Sequence, residues 1–398
     1  MNRIVTLVLV DAAGTVLGAL PPFETPVPWW QESADLVAEA RHRHGVEVSI
    51  LRLLSSSHPA PPGGKITYLA QVDTPVRTEL TPVDLRLDDE PLRAPWVVPD
   101  GPQASVRWAL QHLPPGAQPV QRRTWNLSSI WRFDLGGRPV AWLKQVPAFF
   151  AHEPGLLTLL ASHTRLAVPE VLAVGDAGRM LLAHIPGEDQ YGAGADFRAE
   201  VARDLHPVQE HFATRTDTLR QAGLPDRRLD PSRLTRVAEP WLEHIDGLDD
   251  LLDEIPARLA AIAACGLPDT LVHGDLHPGN VRAQPGGPRT IIDWGDAGIG
   301  HPASDMIRLT GGIAGRAVLD AWAQRWQASV PGSEPLAALE LIRPVTALHQ
   351  AVTYQHLLDH IEPAEHPYHA ADVPRCLSEA VAAAQPSDPR AAARLDAR

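Results

Sequence analysis

The chain has 398 residues, a formal net charge of −13 and two cysteines, Cys265 and Cys376. Two cysteines cannot form a disulfide framework, no Cys/His group has zinc spacing, and the acidic balance argues against broad nucleic-acid binding, which needs a basic surface. Because no uncharged apolar run approaches the roughly 20 residues of a membrane span and the N-terminus lacks a signal-peptide cleavage pattern, we expect a cytoplasmic globular protein without a membrane or nucleic-acid partner.

The first hundred residues predict a small α/β domain. Strands over Ile4–Val10 and Thr15–Leu20 flank a hairpin turn, and a helix over Ser33–His44 is expected to stop at Gly45. A loop rich in Ser, Pro and Gly then separates two further strands. These strands are predicted over Val46–Leu54 and Lys65–Val72.

The element order of this domain, strand, strand, helix, glycine, strand, resembles that of a Nudix hydrolase. In that family the helix before the glycine carries a run of glutamates that bind magnesium. Here His42 and Arg43 replace the paired glutamates, and only Glu39 stays in register. A helix without its carboxylates cannot hold the metal, so we expect at most an inactive relative. An unrelated α/β accessory domain fits these residues equally well.

A second domain begins near residue 120, after a proline-punctuated connection over 74–120 that contains one predicted helix, Gln103–Leu113. Two hairpins and an intervening helix, His152–Ser162, predict a small antiparallel sheet with one helix. The strands of the hairpins are predicted over Ser128–Asp134, Pro139–Gln145, Pro169–Val174 and Arg179–Ile185.

After Gly187 the chain becomes mainly helical. Helices are predicted over Asp196–Ala213, Pro231–Cys265, Ala303–Ser329, Glu334–His360 and Asp372–Ala384. The predicted organisation is an accessory α/β domain over 1–115, a sheet-containing lobe over 116–188, a helical lobe over 189–385 and a flexible tail over 386–398.

One short hairpin among these helices carries three oxygen-bearing side chains. An apolar run leads into His273-Gly-Asp-Leu-His-Pro-Gly-Asn280, and a second apolar run leads into Asp293. This spacing of Asp, Asn and Asp is the layout with which protein kinases transfer phosphoryl groups. Asp275 is therefore the candidate catalytic base. Asn280 and Asp293 are the candidate magnesium ligands, because Mg²⁺ prefers oxygen donors and usually keeps several waters.

Residues of the sheet-containing lobe extend this set. Lys144 lies in a predicted strand and Glu153 in the first turn of the next helix; in kinases the strand lysine contacts the nucleotide phosphates and pairs with the helix glutamate. An interaction with the helix dipole is the alternative role for Glu153. The turn expected over the phosphates, Trp125–Trp131, contains no glycine. Ser128 and Ser129 offer hydroxyl and N–H groups there, or are ordinary strand serines.

Other side chains near the motif are given structural roles. We expect His273 to pack and to hydrogen-bond within the loop, Asp305 to hydrogen-bond the catalytic loop, and Trp294 to be a packing residue. Several polar residues fit solvated or core positions better than an acceptor pocket: Glu188, Asp189, Glu243, His349, Tyr354 and Gln355.

With these motifs the chain resembles, over about residues 120–365, the aminoglycoside phosphotransferase and choline kinase-like family. The resemblance implies an α+β, protein-kinase-like bilobal fold, preceded here by the small α/β domain. It also implies ATP or GTP as donor, Mg²⁺, and a small-molecule hydroxyl, such as that of an aminoglycoside, as acceptor. By position it assigns Asp275 as base, Asn280 and Asp293 as metal ligands and Lys144 as phosphate-binding residue, and it places His184 at the hinge that holds the adenine.

A nucleotide-binding regulatory protein without turnover is the alternative hypothesis. The complete set of Lys, Glu, Asp, Asn and Asp argues against it, because a protein of that kind commonly lacks one of these groups. We therefore expect a small-molecule kinase.

Overall fold

The computed structural model describes residues 2–311 and 315–385, which divide into two compact units. The first unit takes the described residues up to 151, together with 171–184 and 356–371, and the second takes the other described residues. Within these ranges the structure contains no helix with the length and apolar character needed to cross a membrane.

The first unit opens with a mixed five-stranded sheet and one helix. The elements are β1 (Arg3–Val10), β2 (Val16–Ala19), β3 (Phe23–Thr25), α1 (Ala34–His44), β4 (Ser49–Ser56) and β5 (Gly64–Gln71). The strand order is β2-β1-β5-β4, with β3 also paired to β1; only β1 and β5 are parallel. The helix stops at Gly45 as predicted, since this residue has a φ of 65° and its N–H caps the last turn. The three-residue β3 was not predicted because it is too short to show a period.

A second, antiparallel sheet completes this unit. Its elements are α2 (Gly101–Leu110), β6 (Gln118–Thr124), β7 (Ser129–Leu135), β8 (Arg138–Gln145), β9 (Val171–Val174) and β10 (Arg179–Ala183), with strand order β6-β7-β8-β10-β9. The two predicted hairpins are confirmed. Alternation on β7 and β8 buries Trp131, Phe133, Ala141 and Leu143 against Ala109 of α2. Strand β6 was not predicted, because its polar sequence lacks an alternating apolar pattern.

A buried polar network joins the two sheets of the first unit through residues 356–371. The Glu365 carboxylate accepts the backbone N–H of Leu53 at 3.1 Å and the Asn126 amide Nδ2 at 3.2 Å. Asn126 lies in the turn between β6 and β7, and its Oδ1 accepts from His369 Nε2 at 2.9 Å. Burial raises the pKa of Glu365 to about 7. Each of these buried polar groups thus has a partner, as buried polar groups generally require.

Acidification is expected to weaken this network through His369. Burial lowers the pKa of His369 from 6.5 to about 4. Because the folded-state pKa is the lower one, this contribution to stability is complete above pH 6.5 and is lost as the pH falls towards 4. Between pH 7 and pH 4.5 the free energy of unfolding should fall by about 2 kcal/mol more in the wild type than in His369→Gln. Urea unfolding followed by tryptophan fluorescence at both pH values measures this difference, and equal pH dependence in the two proteins would contradict it.

The second unit is mainly helical. Its helices are α3 (Glu153–His163), α4 (Ala195–Ala213), α5 (Thr216–Gln221), α6 (Pro231–Ala238), α7 (Leu248–Ala264), α8 (Ala303–Thr310), α9 (Arg316–Ser329), α10 (Pro335–Asp359, up to residue 355) and α11 (Asp372–Ala384). Two small sheets lie among them. The first contains β11 (Glu188–Asp189), β13 (Val281–Ala283) and β14 (Thr290–Ile291), and the second contains β12 (Thr270–Val272) and β15 (Gly298–Gly300).

Two of the predicted long helices are wrong. The helix predicted over Pro231–Cys265 is two helices, because a short 3₁₀ turn containing Pro240 follows α6 and Gly247, with a φ of 78°, precedes α7. The helix predicted over Ala303–Ser329 is also divided: α8 ends before Gly311, whose ψ of 129° is not helical, and α9 begins at Arg316. The predicted tail over 386–398 lies outside the described residues.

Candidate active site

The predicted catalytic motif forms a tightly held loop in the second unit. Strand β12, which leads into it, pairs with β15 on the far side of the hairpin, with Leu271 opposite Ile299. Gly274 has a φ of 82°, and a Cβ atom at this position would lie 2.2 Å from the carbonyl oxygen of Asp296. Only glycine fits such a left-handed, closely packed position. The backbone therefore turns sharply just before Asp275.

Asp305, on α8, holds this turn in place through hydrogen bonds. Its carboxylate accepts the backbone N–H groups of His273 and Gly274, both at 3.0 Å, and the Gln209 Nε2 at 3.1 Å. The side chain is 1% exposed. Burial raises the pKa of Asp305 to about 6, and the hydrogen bonds to His273 and Gly274 oppose that rise. The prediction that Asp305 hydrogen-bonds the catalytic loop is confirmed.

His273 and Trp294 form the packed interior of the loop. His273 is fully buried; its Nε2 donates to the carbonyl oxygen of Ile292 at 3.0 Å, and its Nδ1 accepts the N–H of Asp275 at 3.3 Å. Burial lowers the pKa of His273, so that the neutral ring with this tautomer is the stable form. The ring centroid lies 4.6 Å from that of the buried Trp294. Both predicted structural roles are confirmed.

The carboxylate of Asp275 has three neighbours. Oδ1 accepts from Arg308 Nε at 2.7 Å, while Oδ2 accepts from Asn280 Nδ2 at 3.1 Å and lies 3.5 Å from His277 Nε2. Burial acts to raise the pKa of Asp275, but the hydrogen bond with His277 and the charge of Arg308 outweigh it and hold the pKa at about 2. Asp275 is therefore ionised at neutral pH. Its side chain is 31% exposed.

Asn280 and Asp293 stand at the ends of the two adjacent strands of the hairpin, Asn280 before β13 and Asp293 two residues after β14. Asn280 directly precedes β13, and its carbonyl oxygen accepts the N–H of Ile292 at 2.9 Å. Its Nδ2 also donates to the carbonyl oxygen of Asp275 at 2.9 Å, so that the amide oxygen is turned away from Asp275. Asp293 is exposed, and its φ of 62° and ψ of 61° place it in the left-handed region. This conformation is uncommon for a residue other than glycine and is often found where a side chain is aimed for function.

These two side chains suit a magnesium ion. An amide oxygen and a carboxylate are hard donors, and Mg²⁺ is typically bound by one or two protein groups together with waters and substrate phosphates. Among residues 2–311 and 315–385, no group of three or more His, Cys, Asp or Glu side chains has an arrangement that would hold a metal ion by itself. A site made by Asn280 and Asp293 would thus leave most coordination positions to other ligands.

Glu153 is tied to the same loop. It begins α3, is 1% exposed, and its Oε1 accepts the backbone N–H of Trp294 at 3.1 Å. Because Trp294 follows Asp293 directly, this hydrogen bond holds the backbone next to a candidate metal ligand. Lys144 is in β8 of the first unit, opposite Ile130 and Met180. The ion pair expected between Lys144 and Glu153 stays a prediction.

The remaining nucleotide-binding candidates lie in the first unit. Ser128 Oγ accepts from the indole N–H of Trp125 at 3.0 Å, and the buried Ser129 Oγ accepts from that of Trp131 at 3.1 Å. His184 Nδ1 likewise accepts from the indole N–H of Trp142, at 3.0 Å. Each of the three side chains is thus oriented by a tryptophan. Their roles in nucleotide binding stay predictions.

Arg308 is the neighbour of Asp275 that the sequence did not reveal. It lies three residues after Asp305 on α8, a spacing that puts both side chains on one side of the helix. Once Asp305 is placed in contact with the loop, this spacing indicates that Arg308 also faces the loop.

The sequence also did not reveal Arg227, which approaches Asp296 to 3.5 Å. Burial raises the pKa of Asp296 to about 6, and the charge of Arg227 opposes that rise.

Comparison with known proteins shows the family. The model of the family described as "Phosphotransferase enzyme family" matches residues 131–339, more than half of the chain. The chain therefore belongs to the phosphotransferase enzyme family, and the predicted enzyme class, a phosphotransferase, is confirmed. No curated protein sequence matches the chain.

Solved structures show the fold. The apoenzyme of the macrolide 2'-phosphotransferase MphH from Brachybacterium faecium is 17% identical, with a TM-score of 0.50, over 72% of this chain and 99% of its own. The GDP complex of wild-type aminoglycoside 2'-phosphotransferase-IIIa is 16% identical, with a TM-score of 0.51, over 70% of this chain and 98% of its own. The predicted α+β, protein-kinase-like fold is confirmed.

Proposed function

We propose that the chain is a Mg²⁺-dependent small-molecule kinase that transfers the γ-phosphoryl group of ATP or GTP to a hydroxyl group. The observation that carries the proposal is the hairpin that joins an ionised Asp275 to Asn280 and places Asp293 just after the adjacent strand β14. Membership of the phosphotransferase family supports it. The similar structures are a macrolide phosphotransferase and a GDP complex of an aminoglycoside phosphotransferase, which agrees with a nucleotide donor and a hydroxyl acceptor.

In this mechanism Asp275 orients the acceptor. Its carboxylate accepts a hydrogen bond from the hydroxyl and takes the proton as the new oxygen–phosphorus bond forms and the bond from the γ-phosphorus to the leaving ADP or GDP breaks. Because its pKa is about 2, Asp275 is a weak base towards an unreacted alcohol. We therefore assign most of its effect to alignment of the hydroxyl and to removal of the proton late in the reaction, when the attacking oxygen has become acidic.

The other groups hold the donor. Asn280 and Asp293 would bind the Mg²⁺, which when bound neutralises charge on the nucleotide phosphates. Lys144 would bind the same phosphates, with Glu153 as its partner. Ser128, Ser129 and His184 are the remaining candidates for nucleotide contacts. Glu153 has a second function in this scheme, because its hydrogen bond to the Trp294 N–H fixes the residue that follows Asp293.

A nucleotide-release assay tests the proposal. ADP or GDP formation should require Mg²⁺ and rise when a hydroxyl acceptor is added, and mass spectrometry should find the acceptor heavier by one phosphate.

Lys144→Met should lower turnover by about 100-fold, since it removes a positive charge that would stabilise the nucleotide phosphates during transfer. The other lysine of the chain, the exposed Lys65, gives the matched control, and Lys65→Met should keep full turnover. Nucleotide binding without transfer to any member of a broad acceptor panel would instead favour a regulatory protein.

A further inference from the structure

Arg308 connects Asp275 to a cavity in the helical part of the second unit. Its Nε donates to Asp275, and its side chain, 46% exposed, also lines a cavity of about 260 Å³ between α8, α10 and α11. Drug-sized ligands usually occupy pockets of about 300–1,000 Å³, so this cavity suits a compact molecule. The polar side chains that line it with Arg308 are Arg343, Thr346, Gln350 and Glu379.

The charges of this lining favour an anion. Its carboxylate, Glu379, accepts from Arg375 Nη1 at 2.8 Å on the same helix, and Arg375 also pairs with Asp372 at 2.8 Å. Arg343 contacts Glu340 at 3.3 Å, but the Glu340 side chain is 67% exposed, and such exposed pairs are weak. The lining therefore presents two guanidinium groups and one carboxylate, which shares Arg375 with Asp372.

Use of Asp275 by an acceptor affects Arg308 directly. Arg308 Nε donates a hydrogen bond to Oδ1 of Asp275. An acceptor hydroxyl that binds this oxygen must therefore share or replace that hydrogen bond. When an acceptor takes that contact, the Arg308 guanidinium, which is 46% exposed, is left to pair with another anion. Only Nε is engaged by Asp275, and the two terminal nitrogens have no hydrogen-bond partner among the described residues. A guanidinium presents such nitrogens in the geometry that matches a carboxylate or a phosphate.

We infer that the acceptor carries an anionic group, a carboxylate or a phosphate monoester, which binds Arg308 with help from Arg343, and that Arg308 selects the acceptor. The inference rests on the proposed kinase function. An anionic acceptor draws Arg308 from Asp275 and leaves the carboxylate oxygen to the hydroxyl. A neutral alcohol must compete with Arg308 for that oxygen, and a polycation meets the repulsion of two arginines.

Matched acceptors test the selection. The assay compares kcat/KM for gluconate with glucose, for glycerate with glycerol, and for the polycation kanamycin. The wild type should prefer the anionic member of a pair by about 100-fold, and Arg308→Met should bring the ratio close to one. Arg316→Met is the matched control, since this arginine is 80% exposed and pairs with Asp320 within α9; its ratio should equal that of the wild type. A wild type that prefers the neutral or cationic acceptors, or an Arg308→Met enzyme that keeps the ratio, overturns the inference.

A binding measurement decides the question if these compounds are poor substrates. Calorimetry with inorganic phosphate, in the presence of Mg²⁺ and a non-hydrolysable ATP analogue, should detect an anion site in the wild type and in Arg316→Met. In Arg308→Met the affinity should fall at least about tenfold. Equal affinity in all proteins, or no binding in the wild type, overturns the inference. Phosphoryl transfer without anion preference refutes this inference alone, whereas anion binding without transfer to any acceptor refutes the kinase proposal and leaves only an anion site at Arg308.

Discussion

Asp275→Asn is expected to lower kcat for phosphoryl transfer by about 1,000-fold or more. The asparagine keeps the size of the side chain, and its oxygen can still accept the hydrogen bond of Arg308 Nε. What it loses is the negative charge that, in the proposed mechanism, orients the acceptor hydroxyl and receives the proton. Because Asp275 is about one third exposed, the change should not prevent folding. Turnover is measured by ADP release with an acceptor whose phosphorylated product has been identified.

Asp253→Asn provides the matched control for this result. Asp253 is an exposed carboxylate on α7 of the same unit, and its replacement should leave kcat and KM within twofold of the wild type. Thermal unfolding and nucleotide binding of Asp275→Asn should stay close to those of the wild type. Full turnover by a folded Asp275→Asn protein would show that Asp275 is not the catalytic base.

Asp305→Ala is expected to reduce the free energy of unfolding by about 3 kcal/mol or more. The carboxylate accepts from the backbone N–H groups of His273 and Gly274 and from the Gln209 amide in a fully buried position. Alanine leaves these donors buried without their acceptor. Burial of the charge is itself unfavourable, as the raised pKa of Asp305 shows, and this offsets part of the loss. Urea unfolding followed by circular dichroism measures the change.

The same substitution should also remove most activity. The backbone of His273 and Gly274 leads directly to Asp275, and a displacement of about 1 Å at a catalytic group can lower the rate about 100-fold. Asp320→Asn is the control: Asp320 pairs with Arg316 on the surface of α9 and is 42% exposed, so its loss should change stability by less than about 0.5 kcal/mol. An Asp305→Ala protein with an unchanged urea midpoint would disprove the support assigned to this residue.

The hairpin that carries the candidate catalytic residues could be predicted because the residues that define it are close together in the sequence. Asp275, Asn280 and Asp293 stand at fixed distances along one short stretch, and strand periodicity on both sides fixes how they meet. Asp305 was within reach for the same reason, since it opens the next helix. Arg308 was not, because a charged residue on a helix is usually solvated and only the packing of α8 against the loop brings it to Asp275.

Other features depend on contacts that a local pattern does not contain. The hydrogen bonds of Glu365 to Leu53 and Asn126 join residues that are 312 and 239 positions apart. Nothing in the sequence around Glu365 marks it as a partner of the N-terminal sheet. The helix boundaries near Pro240 and Gly311 were missed for a different reason: apolar periodicity continued across them, whereas the backbone requirements of Pro and Gly decided the outcome.

The long-range network of the first unit has a consequence for biosynthesis. The ribosome makes the N-terminal sheet first, yet Tyr368 belongs to the core of that sheet and its ring lies 5.5 Å from that of Trp30. Glu365 and His369, which satisfy Asn126, are made equally late. The N-terminal segment therefore lacks these contacts until residues 365–369 have been translated, in contrast to domains that fold as soon as their own residues appear.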